Sequence, residues 1–74
     1  MNKNLEIEKL IEAQHLAQFL LEKLNELSKT ARDQHDNSNL IWAHNAAQNT
    51  HKTLEGIELK LFLAMEKADR SKLK

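Results

Sequence analysis

The segment that most constrains this fold spans residues 57–65, which read Ile-Glu-Leu-Lys-Leu-Phe-Leu-Ala-Met. Seven of these nine residues are apolar, and in a helix they point almost all the way around the axis. A helix that buries one face needs an apolar stripe only somewhat wider than about 100°. One neighbouring helix therefore cannot cover the whole segment. We expect a second copy of the chain, or another protein, to complete the core.

The length of the chain leads to the same expectation. Its 74 residues form one domain, 1–74, and the core of a chain below about 70–80 residues rarely supplies more than about 3–5 kcal/mol. Cysteine is absent, which excludes disulfides and thiolate metal sites as sources of stability. Self-association into a homodimer or higher oligomer is the remaining route.

The composition predicts an all-α protein. There is no proline and only one glycine, Gly56, whereas strong helix formers are abundant. We predict a first helix over about 4–34, a turn over about 35–38 and a second helix over about 39–70. Asn37, Ser38 or Asn39 is the expected N-cap of the second helix. A linker this short makes the two helices antiparallel neighbours, so the predicted fold is a two-helix antiparallel hairpin.

Apolar residues at helical spacing mark the expected contact between the two helices. In the hairpin, bulky residues near 10–21 face residues near 54–65, and small residues meet near the turn. Such a tapered hairpin resembles half of a four-helix bundle, and we predict that it dimerises into one. The first predicted stripe is Leu10, Ala13, Ala17, Leu20, Leu21, Leu24, Leu27 and Ala31; the second is Ala43, Ala46, Ala47, Thr50, Leu54, Ile57, Leu61, Ala64 and Ala68.

Several large apolar residues fall outside these stripes and predict a second contact surface. Trp42 and Ile41 begin the second helix and are candidates for partner binding, since tryptophan is enriched at binding hot spots. The alternative for Trp42 is a structural role, in which its ring folds over Ala31. The predicted dimer interface consists of Leu16, Phe19, Leu59, Phe62 and Leu63.

Residues 20–27 read Leu-Leu-Glu-Lys-Leu-Asn-Glu-Leu. This eight-residue stretch resembles part of the first helix of the Rop-type plasmid copy-number regulators, which are dimeric helical hairpins that bind paired RNA loops. The resemblance implies a dimeric hairpin architecture. Carrying over the RNA-binding face matches only Lys23, because the other aligned positions hold Glu8, Glu12 and Leu16. The resemblance therefore does not imply RNA binding, and it assigns the chain to no family.

Charge and spacing weigh against other functions. Lys+Arg and Asp+Glu both number eleven, whereas a nucleic-acid-binding domain is usually basic. His44 and His51 are seven residues apart, but helical ligands of one metal ion normally lie three or four apart. Glu12 and His15 have the spacing of a di-iron motif, yet they lie opposite the predicted core stripe. We therefore expect no enzyme activity, no metal and no cofactor.

The sequence also carries expectations about location. No apolar run approaches the 18 or more residues of a transmembrane helix. The first residues lack the apolar h-region of a signal peptide. We expect a cytoplasmic protein that does not enter membranes.

Two classes of function remain open at the level of sequence. The first is a small, non-catalytic interaction protein, such as an adaptor, inhibitor or chaperone, that acts through apolar helix surfaces. The alternative is a dimeric four-helix-bundle regulator that binds nucleic acid. The zero net charge favours the first class. The candidate nucleic-acid face of the second consists of Asn45, Gln48, Asn49, His51 and Lys52.

Overall fold

The chain folds into two long antiparallel helices. The computed structural model describes residues 3–72, and it describes side-chain exposure for residues 5–69. Helix α1 (Lys3–Asp33) and helix α2 (Asn37–Lys72) pack along their length, as a rod of about 59 × 14 × 12 Å. The described residues contain no strand. The predicted all-α hairpin is confirmed.

A Schellman motif ends α1. The His35 amide donates to the Arg32 carbonyl at 3.1 Å, and the Asp36 amide donates to the Ala31 carbonyl at 2.8 Å. These bonds require one residue in the left-handed region, and His35 takes that place with φ 59°. The motif reverses the chain within three residues, 34–36, and so brings α2 back alongside α1.

The residue that closes this motif also starts α2. A carboxylate oxygen of Asp36 accepts a hydrogen bond from the Asn39 backbone amide at 3.2 Å, which is the N-cap arrangement. The prediction that Asn37, Ser38 or Asn39 caps α2 is therefore wrong. Because Asp36 serves both helix ends, α2 begins two residues earlier than the predicted residue 39.

The contact between the helices follows a seven-residue repeat. We label its positions a to g, with a at Ile7 on α1 and at Leu40 on α2. Among residues 5–69, every helical residue that is not exposed lies at a or d, except Ala13 and Ala46 at g. This is the seam of an antiparallel coiled coil. The seam residues are Ile7, Leu10, Gln14, Ala17, Leu21, Leu24, Ser28 and Ala31 on α1, and Leu40, Ala43, Ala47, Thr50, Leu54, Ile57, Leu61, Ala64 and Ala68 on α2.

The core along this seam is thin. Among residues 5–69, four are buried: Leu24, Ala31, Ala43 and Leu54. The seam is lined by small residues near the turn and by larger ones toward the open end, so the predicted taper is present. The Thr50 hydroxyl donates to the Ala46 carbonyl at 2.8 Å, which satisfies this polar group within the seam.

Most of the large apolar side chains remain outside this core. In segment 57–65, Ile57, Leu61 and Ala64 are half-buried against α1, and the other apolar residues are exposed. The prediction that one neighbouring helix cannot cover this segment is confirmed. The exposed large apolar residues are Leu5, Ile11, Leu16, Phe19, Leu20, Leu27, Ile41, Trp42, Leu59, Phe62, Leu63 and Met65.

Candidate functional site

The seven-residue repeat divides the outer surface of the hairpin into two broad faces. In an antiparallel pair, positions g and c of both helices adjoin one side of the seam, and positions e and b adjoin the other. A cleft at the open end confirms this geometry. Its lining residues come from d, g, c and f positions of the two helices: Glu6, Lys9, Leu10, Lys60, Leu63, Ala64, Glu66 and Lys67.

We call the side formed by positions g and c the leucine face. On α1 it carries an apolar row at Ala13, Leu16, Leu20 and Leu27, and all three leucines are exposed. Lysines accompany this row, so the face is basic as well as apolar. Its lysines among residues 5–69 are Lys9, Lys23, Lys60 and Lys67, and Glu6 is its one carboxylate.

We call the opposite side, formed by positions e and b, the glutamate face. Over residues 5–25 and 50–69, no lysine or arginine occupies an e or b position. Three exposed apolar residues lie on this side at the open end of the rod: Ile11, Phe62 and Met65. The carboxylates of the same two segments at e and b are Glu8, Glu22, Glu55, Glu58 and Asp69. Lys29 and Arg32 occupy b and e positions near the turn, so the two faces differ in charge over the rest of the rod.

Ion pairs between side chains of the same helix lie on the exposed surface of α1. Lys9 Nζ lies 3.6 Å from a Glu12 carboxylate oxygen. Lys23 Nζ lies 3.3 Å from a Glu26 carboxylate oxygen. The Lys23 ammonium also lies 5.3 Å from the centre of the Phe19 ring, within the range of a cation–π contact.

The five residues predicted as the dimer interface are all exposed, but they do not share one face. Leu16 and Leu63 lie on the leucine face. Phe62 lies on the glutamate face. Phe19 and Leu59 occupy f positions, farthest from the seam. The five residues therefore do not form one continuous interface. They are divided between the two faces and the outer edges of the helices.

The two candidate partner-binding residues also diverge. Trp42 falls at c, on the leucine face, whereas Ile41 falls at b, on the glutamate face. The Trp42 side chain is 58% exposed, so most of the ring does not contact the hairpin. This exposure argues against the alternative in which Trp42 serves mainly as a cover for Ala31.

The sequence stripes missed two residues of the leucine face. Leu20 and Leu27 were assigned to the contact with α2, but both are exposed at g positions. Ile7 is outside the predicted stripes, but it lies in the seam. The seven-residue repeat through Leu10, Ala17, Leu24 and Ala31 marks the d positions, but only the place of α2 separates the a positions from the g positions beside them.

The polar groups of the second function class are distributed around the exposed side of α2. Asn45, Gln48, Asn49 and Lys52 are exposed at f, b and c positions. His51 Nδ1 lies 3.7 Å from a Glu55 carboxylate oxygen, so a carboxylate adjoins this candidate face. Within residues 3–72, no three His, Cys, Asp or Glu side chains converge as a metal site would require.

Neither described helix is long and apolar enough to cross a lipid bilayer. Comparison with protein-family models, curated proteins and solved structures finds no significant match.

Proposed function

We propose that this protein is a non-catalytic helical interaction protein, and that its leucine face joins two copies into a four-helix bundle. The apolar row at Ala13, Leu16, Leu20 and Leu27, in which the three leucines are exposed, carries this proposal. Apolar residues at a, d and g are the pattern of a helix that contacts more than one neighbour in a bundle. Helix α1 has this pattern, and α2 leaves Leu20 and Leu27 at g positions exposed.

The surface area of the hairpin supports a second copy as the occupant. The accessible surface is 6034 Å² for a chain of 8.6 kDa, whereas a compact monomer of this mass has about 4,700 Å². The difference of about 1,300 Å² exceeds the roughly 800 Å² per partner that a standard interface buries. A rod with this excess surface can bury it against an identical rod.

The spacing of the row favours a particular arrangement. Residues 13, 20 and 27 are seven apart, so an antiparallel pair of α1 helices with Leu20 near the two-fold axis places Ala13 against the partner's Leu27. A self-complementary patch of this kind is what a two-fold interface requires. The same arrangement places the open end of each hairpin, where the seam residues are larger, beside the turn of the other hairpin.

The test is sedimentation velocity at low micromolar concentration. We expect the unmodified chain to sediment as a dimer. Leu20→Glu should give a monomer, because it places a carboxylate at the centre of the buried patch. Gln18→Glu is the matched control, since it adds the same charge at an exposed e position of the same helix and should leave the dimer intact. A cooperatively folded monomer for the unmodified chain would contradict the proposal.

The nucleic-acid regulator ranks second because of charge. Its candidate face of Asn45, Gln48, Asn49, His51 and Lys52 holds one lysine, and each phosphate contact normally requires a cation. Four of the six lysines among residues 5–69 lie instead on the leucine face, which the proposed dimer buries in part.

A further inference from the structure

The apolar patch at Ile11, Phe62 and Met65 is separate from the leucine face. These residues occupy e and b positions, on the other side of the seam from Leu16, Leu20 and Leu27. All three are exposed, and the Phe62 side chain is 62% exposed. A dimer formed through the leucine faces leaves this patch uncovered, because it lies on the opposite side of the rod.

The position of the patch along the rod follows from the register of the helices. The cleft on the leucine face places residues 6–10 of α1 beside residues 60–67 of α2. Ile11 and Met65 are both at e, and e positions adjoin each other across an antiparallel seam. The patch therefore spans both helices at the open end, with Phe62 one turn from Met65 on α2.

The charges around the patch define the chemistry of its partner. Glu8 lies three residues before Ile11, and Glu58 and Asp69 lie four residues from Phe62 and Met65, on the same face. Lysine and arginine are absent from the e and b positions of residues 5–25 and 50–69. An apolar patch with an acidic rim complements a ligand that has an apolar stripe and basic flanks.

We infer that the glutamate face binds a basic amphipathic α-helix of another protein. The ligand helix would place apolar residues spaced three and four apart against Ile11, Phe62 and Met65, and its lysines or arginines beside the surrounding carboxylates. Recognition of this kind, in which an amphipathic helix lays its apolar face on an apolar surface, is common among proteins. Methionine suits such a surface because its flexible thioether adapts to differently shaped ligands. The inference does not depend on the dimer.

Fluorescence anisotropy with designed peptides tests it. The probe is a labelled helical peptide of about 18 residues, some 27 Å long, with leucines spaced three and four apart and lysines elsewhere. A second peptide replaces every lysine with glutamate. At about 0.15 M salt, where exposed charges are substantially screened, we expect the leucine–lysine peptide to bind and the leucine–glutamate peptide not to bind.

The two phenylalanines provide matched variants. Phe62→Ser should weaken binding by about tenfold or more, as for an aromatic hot spot. Phe19→Ser removes an equally exposed ring from α1 and should leave the affinity within about twofold. Glu58→Lys should also weaken binding, because it reverses the charge beside the patch. Circular dichroism confirms that each variant is helical.

Three results would overturn the inference. Failure of the leucine–lysine peptide to bind would contradict the inference directly. Equal binding of both peptides would show that charge does not select the ligand. Unchanged affinity for Phe62→Ser would show that the apolar patch does not participate. Leu20→Glu separates this surface from the dimer, because peptide binding should persist in it whether or not the chain self-associates.

Discussion

The carboxylate of Asp36 binds Asn39 twice, through the backbone amide at 3.2 Å and the side-chain amide at 2.7 Å. The backbone bond satisfies a free amide in the first turn of α2. The side-chain bond fixes the carboxylate in the position from which it caps. The Asp36 amide meanwhile completes the motif that ends α1, so one residue couples the two helix ends.

Removal of this cap should destabilise the hairpin. We expect Asp36→Ala to lower the free energy of unfolding by about 0.5–2 kcal/mol, the usual loss for an N-cap. Asp36→Asn should retain most of the stability, because an amide oxygen can accept the same bond. Urea titration followed by circular dichroism measures both variants. Equal losses for the alanine and asparagine variants would show that the cap contributes nothing specific.

Glycine at residue 35 should stabilise the turn. His35 has φ 59°, and left-handed backbone costs a non-glycine residue roughly 1–2 kcal/mol. Glycine adopts this conformation readily but loses more backbone entropy on folding, which offsets roughly 0.5–1 kcal/mol. We expect His35→Gly to raise the midpoint of urea unfolding slightly, whereas His35→Val should lower it. A lower midpoint for the glycine variant would mean that the imidazole makes a stabilising contact.

Truncation of a buried seam leucine should cost more than truncation of a half-buried one. Leu24 is 6% exposed, so we expect Leu24→Ala to lower the free energy of unfolding by about 2–5 kcal/mol. Leu61→Ala should cost less, because Leu61 is only half-buried in the hairpin. Comparable losses for the two variants would indicate that a partner covers Leu61.

Gly56 offers a test of the space around α2. It lies mid-helix at a c position, and a Cβ added there meets no atom within 4 Å. Gly56→Ala should therefore stabilise the hairpin by roughly 0.5–1 kcal/mol through helix propensity. Thermal unfolding at several protein concentrations measures this. A loss of stability would show that another chain approaches α2 closely at this glycine.

Nucleic acid should not bind with meaningful affinity at physiological salt. The candidate face on α2 holds only Lys52 as a firm positive charge, and few phosphate contacts give weak binding. Mobility shifts with duplex DNA, hairpin RNA and paired RNA loops measure this directly. Tight, salt-sensitive binding that Lys52→Glu abolishes would place the regulator ahead of the interaction protein.

The sequence was sufficient to predict the hairpin because its local signals agree. Helix formers dominate, and the cluster of Asp, Asn and Ser near residue 36 marks the turn. The sequence did not specify in the same way which leucines lie in the seam and which lie beside it. Leu20 and Leu21 are both compatible with a stripe of period 3.6, and only the position of α2 decides that Leu21 lies in the seam while Leu20 is exposed.

The same limit applies to the candidate sites. The predicted dimer interface includes both Phe62 and Leu63, which are adjacent in the sequence. A step of one residue turns a helix by about 100°, which here separates the two faces of the rod. The separation of lysines from carboxylates depends on which residues of each helix lie in the seam, and the sequence of a single helix does not specify them.

The seven-residue repeat is interrupted at the turn, and this interruption affects whether two copies can exchange helices by domain swapping. Extended by sevens from Ser28, the a positions of α1 would fall at 35 and 42, whereas those of α2 fall at Leu40 and Ala47. If the turn straightened into one continuous helix, this offset of two residues would rotate the two apolar seams apart by about 200°. A partner could not then follow both seams along one side of the helix. The phase shift thus opposes domain swapping, and it keeps each α1 folded against the α2 of its own chain.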